Sequence, residues 1–289
     1  MKNTAMQQNL KWEQRQRLTL LEATVFWSGE LSTGALLQHF GISRVQASKD
    51  LTLYQSLYPE NIRYDRNLKR YVITDTFKAG FMQGTAREFL RILQIPPGDG
   101  AGALVALADN LPSVELLEPA FRQVKQNVLQ KINQAIVTRK QVLVSYQSMS
   151  RPETAELRLC PHTLVYDGLR WHARCYSHTH QQYRDFVLAR MQTASLGDAA
   201  EQEADADVLW QTVISIKIGP HPGLSSTQKT AVEFDYGMVN GVLEQKVRAA
   251  LTPYFLRGMR IGSDDMQRKA MEQQIVLLNR AEIQAYCAF

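Results

Sequence analysis

The chain has 289 residues, of which 45% are hydrophobic and 21% charged, and its formal net charge is +5. This composition excludes a disordered or fibrous chain, and the length predicts two or three globular domains. No apolar run approaches the ~20 residues that span a bilayer, and the N-terminal residues lack the apolar segment of a signal peptide. The three cysteines are too few and too widely spaced for a disulfide scaffold, so we expect a cytoplasmic protein.

Most of the positive charge lies in the first quarter of the chain. Residues 1–74 contain ten Lys or Arg and six Asp or Glu, and this excess of positive charge favours anionic partners for this region. The spacing of apolar and capping residues here predicts three helices, over residues 11–28, over residues 32–40, and from Ser43 to just before Pro59.

A basic hairpin follows the three helices. Residues 62–64 and 71–73 alternate as strands around the loop 65–69, which contains two basic residues. Three helices followed by such a hairpin predict a winged helix-turn-helix domain, which we place at residues 1–95.

The third helix begins with polar side chains that suit contact with DNA. Arg44, Gln46 and Lys49 project opposite Ala47 and Leu51, and Arg or Gln can bind base edges in the major groove. The hairpin cations would contact phosphates and fix the register. The predicted DNA-binding residues are Ser43, Arg44, Gln46, Lys49, Arg66, Lys69 and Arg70. The alternative is a protein-binding winged helix with a solvated face, but basic charge on both helix and hairpin favours DNA.

The pattern changes after the hairpin. Residues 75–139 are predicted to be helical and connective, with a longer helix at 118–139, and residues 96–139 are assigned as a helical linker. Short β segments then predict a small β-barrel or strongly bent sheet over residues 140–205. The predicted strands are residues 142–146, 157–160, 163–166, 169–176 and 183–191. Residues 197–207 are predicted to form an acidic linker.

The last segment, residues 206–289, predicts an α+β domain, so the fold class of the whole chain is α+β and multidomain. The expected elements are a strand at 213–218, the turn GPHPGLS, helices near 226–236 and 243–257, and a last strand near 274–279. The glycine-rich turn could approach an anion, but a plain turn is the simpler interpretation.

Polar and aromatic side chains gather on the strands of the predicted barrel. Strand alternation places Arg170, His172 and Arg174 on one face and Ala173 and Cys175 on the other. Such a face could bind phosphate through charge-assisted hydrogen bonds and stack a base. A half-solvated sheet with aromatic core positions is an equally good interpretation of the residues alone.

Metal binding and catalysis find little support in the sequence. His172, Cys175, His178 and His180 crowd one segment, but their spacing fits no closed zinc pattern, and His172 and Cys175 point to opposite faces of a strand. The chain contains no G-x-S-x-G, P-loop or H-E-x-x-H motif. We therefore expect no metal, no cofactor and no enzymatic activity.

Five segments of the chain carry a family resemblance. They are YQSMS at 146–150, CPHTLVYDGLRWHARCY at 160–176, RDFVLAR at 184–190, IKIGPHPGLSSTQKTAVEFDYGM at 216–238 and VRAALTPYFLRGM at 247–259. With the winged helix in front of them, these segments resemble the WYL-domain transcription regulators, and most closely the BrxR/CapW group of repressors associated with phage-defence operons. The resemblance covers almost the whole chain.

The resemblance implies an Sm-like or SH3-like barrel, called the WYL domain, and a homodimer with exchanged C-terminal segments. It also implies a repressor that binds an inverted-repeat operator and is relieved by a nucleotide or single-stranded nucleic acid at the barrel. The ligand-binding positions it implies are Tyr146, Ser148, His162, Tyr166, His172, Arg174, Arg184 and Arg190.

One departure from the family pattern concerns the ligand. The name-giving triplet is Trp171-His172-Ala173 here, where the family has tyrosine and leucine at its second and third positions. Either His172 alters which ligand binds, or Tyr176 takes over the role of the missing tyrosine. A ligand-dependent activator and a nucleic-acid-binding accessory of a defence enzyme remain alternatives to the repressor.

Overall fold

The computed structural model describes residues 10–32, 34, 37, 40–94, 114–117, 122–150 and 153–287. The chain divides into two compact units, Met1–Glu118 and Pro119–Phe289. Among the described residues, no helix combines the length and the apolar character that membrane spanning requires.

The N-terminal unit has the predicted order of helices followed by a hairpin. Its elements are α1 (Trp12–Ser28), β1 (Glu30–Leu31), α2 (Arg44–Leu57), β2 (Ile62–Asp65), β3 (Arg70–Ile73) and α3 (Ala86–Leu93). The strands form an antiparallel sheet of order β1-β3-β2. The sequence did not predict β1, because two residues are too short to show a periodicity. The predicted helix at 32–40 lies largely outside the described residues, of which Gly34, Leu37 and Phe40 are helical.

The boundaries of α1 and α2 follow from local chemistry. Gly29 ends α1 in the left-handed conformation, at φ 79°, which glycine adopts without a Cβ clash. Ala47, Leu51 and Tyr54, the predicted inner side of α2, are at most 1% exposed and pack in the core of this unit. The helix ends at Leu57, as predicted from Pro59.

A buried carboxylate ties α1 to the segment that follows the hairpin. Glu22 is fully buried and accepts hydrogen bonds from the backbone N–H groups of Gly80, Phe81 and Met82 at 2.7–3.0 Å. It also accepts one from the Tyr54 hydroxyl at 3.0 Å. These bonds satisfy a charge that would otherwise be costly to bury, and they fix α2 against α1.

The helix predicted at residues 118–139 is shorter than expected. The structure has α4 (Gln126–Thr138), whereas residues 122–125 are not helical and residues 118–121 lie outside the described part. Val128, Ile132 and Ala135 of α4 are fully buried. Val124 packs, partly buried, against the same core, but the backbone before Gln126 is not helical: Lys125 is extended, at φ −66° and ψ 129°.

A five-stranded antiparallel sheet lies against α4. Its strands are β4 (Lys140–Gln147), β5 (Thr154–Tyr166), β6 (Trp171–Ser177), β7 (Gln182–Val187) and β8 (Met191–Ala199). The strand order is β7-β6-β5-β4-β8, and no pairing joins the two edge strands in the described part of the chain. The sheet is therefore open: of the predicted small β-barrel or strongly bent sheet, no closed barrel is found among the described strands.

Three predicted boundaries in this sheet are wrong. The two strands predicted at 157–160 and 163–166 are one strand, β5, with an irregularity between Pro161 and Thr163, because a bulge absorbs the extra residue without ending the strand. The segment predicted as one strand at 183–191 is β7, a 3₁₀ turn and the first residue of β8. The strand β8 also takes the first three residues of the predicted acidic linker, and the last of them, Ala199, pairs with Lys140 of β4.

The C-terminal residues form a third antiparallel sheet, of order β10-β9-β11, with helices beside it. Its elements are α5 (Val208–Gln211), β9 (Val213–Pro220), α6 (Ser226–Tyr236), β10 (Leu243–Arg248), α7 (Thr252–Gly258), β11 (Ile275–Leu277) and α8 (Arg280–Ile283). The predicted helix near 243–257 is wrong in its first half. Leu243 and Val247 have helical spacing, but they pair with Ile218 and Ile214 of β9, and this tertiary pairing decides the structure.

Candidate functional site

The first turn of α2 presents a basic surface to solvent. Ser43 caps the helix, its hydroxyl oxygen accepting a hydrogen bond from the backbone N–H of Gln46 at 3.2 Å. Arg44, the first residue of the helix, and Lys49 are both exposed, and Lys49 lies on the side of the helix opposite the buried Ala47. Both predicted DNA-binding cations are therefore open to solvent, on a helix whose buried side chains pack in the core of the unit.

Gln46 has a structural partner that the sequence did not reveal. Its Nε2 donates to Oδ1 of the buried Asp50 at 3.0 Å. Asp50 in turn accepts from Arg17 of α1, with 2.6 Å between Nε and Oδ2 and 3.3 Å between Nη2 and Oδ1. One amide proton of Gln46 is therefore engaged inside the protein, and the side chain is drawn along the helix toward Asp50.

The hairpin loop between β2 and β3 is held by Asp65. Its Oδ1 accepts from the backbone N–H groups of Leu68 and Asn67, at 3.1 and 2.9 Å, and these bonds lower the pKa of the carboxyl group. Lys69 has a left-handed backbone, at φ 54°. Arg66, Lys69 and Arg70 are all exposed. Arg70 forms an ion pair with Glu30 of β1, which leaves Arg66 and Lys69 to supply most of the uncompensated charge.

A cleft of about 290 Å³ lies beside strands β4, β5 and β7 in the second unit. The lining residues are Tyr146, Ser148, Ser150, Glu153, Ala155, Leu157, His180, Arg184, Asp185 and Phe186. The cleft thus brings together Tyr146, Ser148 and Arg184 of the eight predicted ligand positions.

The predicted residues in this cleft differ in what they can offer a ligand. The ring of Tyr146 is largely buried, edge-on to Phe186 at 5.4 Å, and its hydroxyl accepts from the backbone N–H of Val187 at 3.3 Å. It forms a floor rather than a stacking surface. The Ser148 hydroxyl lies 2.9 Å from that of Ser150, and Arg184 is exposed. Hydroxyl and guanidinium donors suit a phosphate or another oxyanion.

Three other predicted ligand residues lie in a buried polar network rather than in this cleft. The Arg174 guanidinium donates to Asp207 from Nε at 2.7 Å and from Nη2 at 3.1 Å, and Nη1 lies 3.4 Å from Asp185. The Nε2 atom of His162 lies 3.3 Å from Oδ2 of Asp207. His172 contacts Asp167, with 2.9 Å between Nε2 and Oδ2.

The network reaches the C-terminal residues through Tyr254 of α7. The Tyr254 hydroxyl donates to Oδ2 of Asp185 at 2.9 Å, and its ring lies 5.0 Å from that of His172. Burial, followed by the charge of Asp185, raises the pKa of Tyr254, so the hydroxyl remains a donor. These contacts join β6 and β7 to α7.

Asp207 is the residue that the sequence analysis placed wrongly. We predicted it to lie in an acidic linker, but it is 1% exposed and caps α5 by accepting a hydrogen bond from the backbone N–H of Trp210. Burial alone would raise the pKa of Asp207, but hydrogen bonds and the charge of Arg174 outweigh burial and lower it. Burial is the main cause of the lowered pKa of His162, opposed by Asp207. Sequence position alone gave no signal of this role.

The remaining two predicted ligand residues lie elsewhere. Tyr166 is exposed beside Trp171 at the end of the β5–β6 hairpin, with 5.1 Å between ring centroids. Arg190 is half-buried in the 3₁₀ turn between β7 and β8. Neither lines the cleft. In the described residues, no group of three or more His, Cys, Asp or Glu side chains is arranged to hold a metal ion.

Three protein-family models match successive parts of the chain. A BrxR transcriptional regulator winged helix-turn-helix domain matches residues 13–95, and a WYL domain matches residues 127–196. A BrxR transcriptional regulator C-terminal dimerization domain matches residues 213–283. The matches follow the order of the described elements.

Curated relatives match nearly the whole chain. The DNA-binding transcriptional repressor CapW of Escherichia coli (strain KTE188) is 34% identical over 96% of this chain and 93% of its own. CapW of Pseudomonas aeruginosa is 32% identical over 96% of this chain and 92% of its own. Among solved structures, proteasome accessory factor B/C (PafBC) of Arthrobacter aurescens is 19% identical over 87% of this chain and 44% of its own, with a TM-score of 0.27.

Proposed function

The chain belongs to the BrxR and CapW family of WYL-domain transcriptional regulators, and on this premise we propose that it is a homodimeric DNA-binding transcriptional repressor without enzymatic activity. Its regulated genes would be a phage-defence operon. The observation that carries this proposal is the exposed basic first turn of α2, set on a helix whose other face is buried.

The contacts proposed with DNA divide into two kinds. Arg44, near the capped start of α2, is suited to a bidentate contact with a guanine edge in the major groove. Lys49 lies five residues further along the helix and is also exposed. Arg66 and Lys69 on the hairpin are suited to phosphates, which carry no sequence information but supply affinity that falls with salt.

A homodimer would carry two such surfaces related by a twofold axis. An inverted-repeat operator follows from this symmetry, with half-sites separated by one or more helical turns of DNA. Support comes from the match of residues 213–283 to a dimerization domain, where Phe234 and Val239 are strongly exposed. Apolar side chains in such a position are suited to burial in a second copy.

The cleft beside β4, β5 and β7 is the proposed sensor site. Arg184 and Ser148 would hold a phosphate group of a nucleotide or single-stranded nucleic acid, with Tyr146 as the floor. A ligand that prefers the arrangement not bound to DNA lowers operator affinity by its differential binding free energy. The helix α4 precedes this sheet in the chain and is the proposed lever between sensor and DNA-binding domain.

A salt-titrated binding assay tests the proposal. The purified protein is bound to labelled duplex from its own upstream promoter region, with a random duplex and a single-stranded oligonucleotide as competitors. We expect the protein to stay bound to the promoter duplex in moderate salt and in the presence of random duplex. The single-stranded oligonucleotide should displace it. Equal affinity for all duplexes would overturn the repressor assignment and favour a nucleic-acid-binding accessory. Promoter binding that the single strand strengthens would indicate a ligand-dependent activator.

A further inference from the structure

One apolar side chain lies on the outward basic face of α2. Val45 is 65% exposed and sits between Arg44 and Gln46 in the first turn of the helix. A single exposed valine is ordinary on a protein surface, so exposure alone carries no conclusion. The role of Val45 follows from its position in the first turn and from what its neighbours contact.

The neighbours of Val45 are differently engaged. Ser43 accepts the capping bond, and Gln46 donates to Asp50. The structure therefore leaves Arg44 and Val45 as the first-turn side chains directed outward, separated by about 100° around the helix axis. Lys49 lies four residues after Val45 and so shares its side of the helix.

A valine in this place has one base feature to recognise. Thymine alone among the four DNA bases presents a methyl group in the major groove, and apolar side chains read it by contact. The χ1 angle of valine is nearly fixed within a helix, so little side-chain entropy is lost when the contact forms. We propose that Val45 is a specificity-determining residue that contacts a thymine methyl group next to the base contacted by Arg44.

This inference rests on the proposed function, since it needs α2 to enter the major groove. The proposed role of Val45 differs from the roles of the cations in how binding depends on salt and on the thymine methyl group. An apolar contact releases no counterions, so it does not contribute to the salt dependence of binding. It depends instead on one methyl group, which deoxyuridine lacks while it keeps every hydrogen-bonding group of thymine.

The experiment replaces thymines of the bound promoter duplex one at a time by deoxyuridine. Wild type and Val45→Ala are each measured on the parent duplex and on every substituted duplex. At one thymine in each half-site, we expect wild type to lose about four-fold in affinity and Val45→Ala to lose nothing further. The affinity of Val45→Ala for the parent duplex should already be reduced by a similar factor.

Val137→Ala serves as the matched control, because Val137 is a similarly exposed helical valine, at 73%, on α4 of the second unit. This control should respond to each deoxyuridine as wild type does. If every deoxyuridine affects wild type and Val45→Ala equally, the inference is overturned while the repressor proposal stands. If wild type shows no preference for the promoter over random duplex, the proposed function fails first and the inference falls with it.

Discussion

The guanidinium of Arg174 and the carboxylate of Asp207 form a bidentate ion pair in which both side chains are at most 5% exposed. The pair joins β6 of the five-stranded sheet to the start of α5, just before the residues that match the dimerization domain. Tyr254 and Asp185 extend the connection to α7. This network holds the sheet and the C-terminal elements of one unit together.

Asp207→Asn should strongly destabilise the fold. The substitution removes the carboxylate charge and leaves a buried guanidinium without its main partner, which costs about 3–5 kcal/mol in the free energy of unfolding. Urea denaturation followed by circular dichroism measures the loss. Asp205→Asn is the matched control, because Asp205 is exposed two residues away, and it should change stability by less than about 0.5 kcal/mol. Equal stability of the two variants would contradict the importance of the ion pair.

His162 should make the fold less stable in mild acid. Burial lowers its pKa in the folded state, so the unfolded chain binds the proton more readily. Its contribution is therefore complete above the unfolded pKa of about 6.5 and is lost as pH falls toward the folded value. Between about pH 7.5 and about pH 5.5, the free energy of unfolding should drop less in His162→Gln than in wild type.

The control for this pH dependence is His178→Gln, which removes a half-buried histidine that contacts Cys160 rather than Asp207. We expect it to retain the drop seen in wild type. A drop in His162→Gln as large as in wild type would assign the acid sensitivity to other groups.

Arg44→Ala should weaken promoter binding by about 1–3 kcal/mol and relax the preference at one base pair of each half-site. The loss arises because a bidentate contact to one base edge disappears. Binding to duplexes with every single base-pair change in the half-site measures it. Arg15→Ala, which removes an exposed arginine of α1, should keep the wild-type preference profile. An unchanged profile for Arg44→Ala would exclude this residue from base recognition.

Lys69→Asn should weaken binding to the promoter duplex and to random duplex by the same factor. Asparagine removes the charge but tolerates the left-handed backbone, so the hairpin keeps its shape. The slope of log affinity against log salt should fall by about 0.9, as expected for one lost phosphate contact. Lys140→Asn, on the exposed start of β4, should leave the slope unchanged. A selective loss on the promoter alone would instead assign Lys69 to base contact.

Arg184→Gln should separate sensing from DNA binding. Loss of the cleft guanidinium removes the proposed phosphate contact. The concentration of single-stranded competitor needed to displace the protein from the promoter should therefore rise at least about ten-fold. Affinity for the promoter duplex should remain that of wild type. Arg158→Gln, an exposed arginine on β5 outside the cleft, is the control and should keep normal relief. Undiminished relief in Arg184→Gln would move the effector site away from this cleft.

The sequence predicted the N-terminal unit well because its signals are local. Ser43 caps the helix that it was expected to cap, Gly29 ends α1, and the hairpin lies where alternation placed it. Each of these features depends on residues within a few positions of one another. The exposure of Lys49, two residues after the buried Ala47, follows from helical periodicity alone.

The errors concern residues whose structure depends on distant partners. Residues 243–248 have helical spacing but form a strand because β9 supplies the pairing. Asp207 was assigned to a linker, but it is buried against Arg174, 33 positions earlier in the chain. No short window of sequence around either segment contains these partners.

By itself, the sequence determined the order of the domains, the basic character of the winged helix and the family, because these depend on local periodicity, charge and motif spacing. Only the tertiary structure decided that the sheet is open, that the eight predicted ligand residues divide between a cleft, a buried network and the sheet periphery, and that Asp207 is buried. The physical reason is that burial and ion pairing depend on which residues distant in sequence meet. Arg174 and Asp207 are separated by 33 positions along the chain.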